Sequence, residues 1–137
     1  MIYSFIGSNY NEETGVSTVT IGTKWGMFTG STKLHEKDKD NVSQIFGGEL
    51  AETKAIIKAL KARVKEINSQ LKVVNNIEHN FRQIKKINFP NYTYKVIGNI
   101  SNQLNKEKTN LLNDIEVLSN SYINAIKARD ERLDKNK

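Results

Sequence analysis

The chain has 137 residues, 37% of them hydrophobic and 26% charged, which suits one folded domain and leaves no comfortable room for a second. No apolar run approaches the ~18 residues of a membrane span. The opening Met1–Ile6 lacks the basic region and cleavage site of a signal peptide. There is no cysteine, which excludes disulfides and thiolate metal sites and makes a reducing interior the simplest home. The net charge of +6 is unevenly spread: residues 54–108 carry +9, residues 1–48 carry −1 and residues 109–137 are neutral. A positive field centred there attracts nucleic acid, nucleotides or acidic protein, unless it is only a solvated face of lysines.

The first ~35 residues read as strands, from their β-branched and aromatic enrichment and their turn residues. Ile2–Tyr10 is the first, and Asn11–Gly15 is a turn. Val16–Thr23 is the second, with Val16, Thr18 and Thr20 on one face and Val19 and Ile21 partly on the other. Lys24-Trp25-Gly26 is a second tight connection, and Met27–His35 is the third strand. Such a meander is marginal alone and needs a helix or another subunit against it.

A charged loop, Glu36–Asn41, follows. Asp40 or Asn41 is placed to cap a short helical turn through Gln44, and Gly47-Gly48 is expected to break or bend the path. From Leu50 a heptad begins. Leu50, Ile57, Val64 and Leu71 form one series, and Thr53, Leu60, Ile67 and Val74 the other. This is a narrow seam of coiled-coil type. Beyond it Ile77, Phe81, Ile84 and Ile87 shift the stripe, and Pro90 ends the helix at or before Phe89.

A second helix is expected from Asn91 or Thr93, with Ile97, Ile100, Leu104, Leu111, Ile115, Leu118, Tyr122, Ile126 and Leu133 as its apolar stripe. Each helix has ~40 residues and spans about 60 Å. The chain therefore reads as α+β: a small N-terminal antiparallel β-meander (1–38), a first helical region (41–89) and a second helix (91–134) in an antiparallel hairpin. Two helices bury only one stripe each, so a homo-oligomer is expected to supply more.

No catalytic constellation is visible. His35 and His79 fit no metal motif, and Gly47-Gly48 lacks the spacing and lysine of a phosphate loop. The stretch 81–95 points to binding instead. It holds the only proline, four of the ten Phe and Tyr residues, and the cations Arg82, Lys85, Lys86 and Lys95. Aromatic rings stack on bases, and cations and helix N-terminal amides meet phosphates. Phe81, Phe89, Tyr92 and Tyr94 either line such a pocket or plug the hairpin end. Trp25, beside Lys24, either covers the sheet or meets a ligand or a neighbouring subunit.

A small sheet followed by two long antiparallel helices resembles the Thoeris anti-defence sponge proteins of bacteriophages. The runs Gly30-x-x-Lys33-Leu34-His35-x-x-Asp38-x-Asp40-Asn41 and Phe46-Gly47-Gly48-x-Leu50-Ala51-Glu52-x-Lys54-Ala55-x-Ile57-Lys58-x-Leu60-Lys61 look like small phage proteins of Gram-positive hosts. The resemblance implies binding of a cyclic ADP-ribose isomer without cleavage, in the cytoplasm of an infected bacterium, by a dimer or larger assembly that needs no cofactor. An aromatic for the adenine and an asparagine about ten residues later would be Phe81 and Asn91. The basic residue of the second helix would be Lys108, a lysine where arginine is expected. Some members hold cyclic oligonucleotides at a second site, for which Lys24 is the candidate. Two other readings stand beside this one: a coiled-coil phage assembly protein, carried by the Leu50–Val74 heptad, and a basic nucleic-acid-binding module.

Overall fold

The computed structural model describes residues 1–33, 41–84 and 87–135. Three strands, β1 (Ser4–Asn11), β2 (Val16–Thr23) and β3 (Gly26–Lys33), form an antiparallel sheet in the order β1-β2-β3. Two helices follow, α1 (Asn41–Gln83) and α2 (Asn91–Lys135). The arrangement is α+β, as the patterning predicts. Among the described residues no helix is long and apolar enough to cross a membrane. His35, Asp40, Lys85 and Lys86 lie outside the described residues.

Local chemistry sets both hairpin turns. The Asn11 side-chain oxygen accepts from the amides of Glu13 (2.9 Å) and Thr14 (3.2 Å), and Gly15 closes the turn at φ 70°. That angle is in the left-handed region, open to glycine at little cost. Lys24-Trp25 links Thr23 to Gly26, which are cross-strand partners, and Gly26 has φ 123°. The pairing of β1 with β2 is interrupted by a bulge at Ile6.

On β2, Ser17, Val19 and Ile21 are buried, whereas Thr18 and Thr20 face the other way and join hydroxyls with Ser31 and Thr29 of β3. The buried face meets α1 through Ala51 and Ala55, with Ala59 continuing the same stripe at four-residue spacing. Gly30 of β3 sits directly against this stripe. A Cβ there would collide with the Ala51 carbonyl and lie 2.6 Å from the Ala55 nitrogen and 2.9 Å from the Lys54 Cβ. Lys54 and Lys58 then reach past Gly30, donating to the carbonyls of Ser31 (3.0 Å) and Thr29 (2.7 Å). They cover the outer edge of β3, which would otherwise offer unpaired carbonyls.

The expected break at Gly47-Gly48 does not occur: α1 runs unbroken from Asn41 to Gln83. A Cβ at Gly47 would stand 3.0 Å from the Ser17 hydroxyl, so the glycine lets α1 approach β2 rather than ending the helix. Tertiary packing offsets the ~1 kcal/mol propensity cost of a helical glycine.

The heptad seam of α1 packs on α2. Leu60, Ile67 and Leu111 form a buried cluster with Val64, Leu71, Leu104, Ile115 and Leu118 around them. Ile56 touches both this cluster and the sheet core. Arg63 donates to Glu107 across the helices (2.7 Å) and to Glu66 (3.0 Å), while Lys54 lies 5.4 Å from the centre of the Tyr122 ring. These pairings run in opposite directions along the two helices, so the hairpin is antiparallel.

The two kinds of glycine should respond in opposite ways to alanine. Gly30→Ala forces β3 off α1 and should cost about 3 kcal/mol or more. Gly48→Ala adds a methyl into open space on a helix, where nothing lies within 4 Å. It should stabilise by about 1 kcal/mol. Urea denaturation of both variants checks the pair.

Candidate functional site

The bend between α1 and α2 is built from rings. The last turn of α1 closes with the Ile84 amide donating to the Phe81 carbonyl (3.3 Å), and α2 opens with the Thr93 amide donating to the Pro90 carbonyl (2.9 Å). Proline suits this place because it lacks the N–H that a helix start leaves unpaired. Phe89, just before it, stacks on Phe81 with centroids 4.6 Å apart and planes at 15°. Arg82 lies over the Tyr94 ring at 4.3 Å and pairs with Glu78 at 3.0 Å. Asn91 and Lys95 are exposed, one turn apart at the start of α2, and Tyr92 is 74% exposed.

Beside the bend an open groove of about 370 Å³ runs between the helices. Phe81 and Tyr92 line its end, and Val74, Ile77, Val96, Ile97 and Ile100 line its length. The lining is apolar apart from Thr93 and the Tyr92 hydroxyl. It offers a flat ring and a greasy slot. Cations and amides lie beyond its lip rather than within it.

The eight candidate residues therefore fall into three places. Phe81, Arg82, Asn91, Tyr94 and Lys95 share the bend, yet only Phe81 among them lines the groove. Phe89 occupies one face of its ring, so a base has the other face or must displace Phe89. Lys108 is thirteen residues beyond Lys95 on the same helix, about 20 Å away at 1.5 Å per residue. Lys24 and Trp25 sit at the β2–β3 turn, where Trp25 packs against the cluster of Leu60 and Leu111. Twenty-one residues of α1 separate Leu60 from Phe81, about 30 Å. Lys24 and Trp25 thus do not join the bend of their own chain.

They line a different cavity, of about 760 Å³, with Met1, Ile2, Tyr3, Ile6, Leu60, Leu111 and Asp114 among its walls. Lys24 stands 5.4 Å from the Trp25 ring centre. Sequence patterning missed Tyr3 and Asp114 here, because nothing local marks residues brought together from a strand and the middle of a helix. The groove residues Ile77, Val96 and Ile100 carried a readable signal: apolar side chains recur near a helix end with too few partners to bury them.

Tyr3 donates its hydroxyl to Glu52 at 2.6 Å, tying the start of the sheet to α1. This bond, with some burial and the carboxylate charge, holds the Tyr3 phenol above its ordinary value. His79 is exposed on α1, and among the described residues no three His, Asp or Glu side chains gather as a metal would need.

No protein-family model matches the chain, and comparison with curated proteins and with solved structures gives no match either.

A raised tyrosine pKa means that the bond's contribution is complete below the unfolded value of about 10 and fades as pH climbs through the folded value. The melting-temperature gap between wild type and Tyr3→Phe should accordingly be constant near neutrality and close above about pH 10. Thermal melts across that range measure it.

Proposed function

We propose that this protein binds and sequesters a cyclic ADP-ribose-type nucleotide without degrading it, as a phage counter-defence protein acting in the cytoplasm of an infected bacterium against Thoeris immunity. The observation that carries the reading is the bend. A Phe81 ring opens onto an interhelical groove, while Asn91, Lys95 and the leading amides of α2 stand at the lip of the same bend. Phe81 stacks on the adenine. Asn91 bonds the base edge or the ribose, with a donor and an acceptor to offer. Lys95 and the amides of Asn91 and Tyr92, which precede the first intrahelical bond, meet the pyrophosphate. Arg82 contributes from above Tyr94 once it is drawn from Glu78. The ligand class comes from the resemblance to the sponge family, and the ring, groove and leading amides at the bend support the reading.

Lys108, Lys24 and Trp25 enter this reading only through a second chain or a second ligand, given their distances from Phe81. A homo-oligomer that lays the middle of one hairpin, or one sheet turn, beside the bend of another supplies them. A cyclic oligonucleotide in the Trp25 cavity, with Lys24 on a phosphate, is the other route. Sequestration involves no turnover, so effectiveness rests on affinity and protein abundance.

A second reading, a coiled-coil assembly protein, is favoured by one observation. Val73, Ile77, Val96, Ile100, Val117 and Ile123 are all exposed along the hairpin. That is more apolar surface than a nucleotide needs, and partner helices would cover it.

One measurement separates the two. Purified protein is incubated with the nucleotide products of TIR-domain enzymes, freed of unbound ligand and heat-denatured, and the supernatant is assayed for intact nucleotide. Release of unaltered nucleotide is expected. Phe81→Ala should weaken retention roughly 5- to 150-fold, since stacking on a ring contributes about 1–3 kcal/mol per base, and Asn91→Ala should weaken it through the lost hydrogen bonds. Both should keep wild-type helicity by circular dichroism. Retention undiminished in both variants overturns the site, and no release from wild type favours assembly.

A further inference from the structure

The two edges of the sheet are treated differently. On β3 the outer carbonyls of Thr29 and Ser31 are taken by Lys58 and Lys54. Among the described residues no side chain does the same for β1, although its bulge at Ile6 interrupts the ladder near the start. Past the bulge, Gly7–Asn11 runs in regular register with β2, with Ser8, Asn9 and Asn11 exposed and Gly7 and Tyr10 half-buried.

This edge is also uncharged. From Met1 to Thr23 the only charged side chains are Glu12 and Glu13, both in the turn that closes β1 onto β2. Edge strands are normally guarded by lysine, proline or a covering element; Gly7–Asn11 contains neither residue, and among the described residues no helix packs over its outer edge. Around it Ile2 is 94% exposed, Phe5 58% and Ile6 55%. α1 packs over β3 and β2, so the Phe5 end of the core-side face overhangs the helix.

We propose that the free edge of β1 pairs antiparallel with the β1 edge of a second copy over Gly7–Asn11, joining two sheets into one of six strands. The occupant follows from charge. Two molecules of net charge +6 repel, and the hairpin holds most of that excess, so the surface free of like charge is the one that self-association can use. The acidic turns also stay apart: antiparallel juxtaposition over Gly7–Asn11 sets Glu12 and Glu13 of each copy beside Ile6 and Phe5 of the other, at opposite ends of the paired segment. Phe5 and Ile6 are covered in the same contact. The proposal rests on the reading of the chain as a homo-oligomer and names its surface; it does not depend on the ligand.

The test uses the full chain without nucleotide, in light scattering coupled to size-exclusion chromatography. Ser8→Lys/Asn9→Lys places a cation on each face of the strand at exposed positions outside the proposed nucleotide site. A control of equal charge, Asn120→Lys/Asn124→Lys, alters exposed positions of α2. Circular dichroism checks that all three fold alike. The expected result is a wild type and a control of the same oligomeric mass, and a β1 variant of half that mass. A monomeric wild type overturns the proposal, as does a β1 variant that keeps the wild-type mass or a control that dissociates as readily. If the β1 variant dissociates but wild type retains no nucleotide, the edge pairing stands and only the ligand assignment fails.

Discussion

The close approach of α1 to the sheet at Gly30 is the constraint on which the other features depend. Three strands of eight residues bury too little to stand alone; their inward side chains are chiefly Val19 and Ile21 of β2, with Phe28 of β3 packed against them. Burying each fully contributes about 1.5–3 kcal/mol, and only a helix that comes close achieves it. Ala51, Ala55 and Gly30 remove the side chains that would hold α1 away, and Gly47 does the same against Ser17. Once α1 lies that near, Lys54 and Lys58 are within reach of the β3 carbonyls, and one edge of the sheet is closed while the other stays open.

Because α1 gives its alanine stripe to the sheet, its neighbouring face is free for α2, and Ile56 marks the border between the two. Both helices are much longer than the sheet is wide. The sheet therefore covers only the early part of α1, and the end near the bend has just two helices. Two helices enclose a seam but not their flanks, so Val73, Ile77, Val96 and Ile100 stay exposed and a groove opens beside Phe81. The candidate site and the exposed stripe are consequences of one shortage of layers.

Electrostatics is more local than the charge count implies. Within the stretch of net +9, Arg63 is engaged by Glu107 and Glu66, which hold its guanidinium firmly charged, and Arg82 is engaged by Glu78. Lys54 and Lys58 are turned onto sheet carbonyls. Glu66, Glu78 and Glu107 are the three anions already counted in the +9, so the excess is carried by lysines spread from Lys54 to Lys108 rather than gathered at the bend.

The strands, both turns, the heptad seam and the helix lengths were legible in the sequence, because each rests on local spacing and on residues such as Asn11, Gly15 and Pro90 whose preferences act over a few positions. So was the concentration of rings at 81–95. The role of Gly47 was not, since a glycine that breaks a free helix looks the same as one that admits a neighbouring strand. Nor was the alanine stripe, which is invisible to a pattern of large apolar residues. The stacking of Phe89 on Phe81, the cover of Arg82 by Tyr94, and the separation of Lys24 and Lys108 from the bend came only with the tertiary structure. Spacing along a chain determines which side chains share a helix face, whereas distances between elements depend on how closely backbones pack, and here the missing side chains at Gly30 and Gly47 set that closeness.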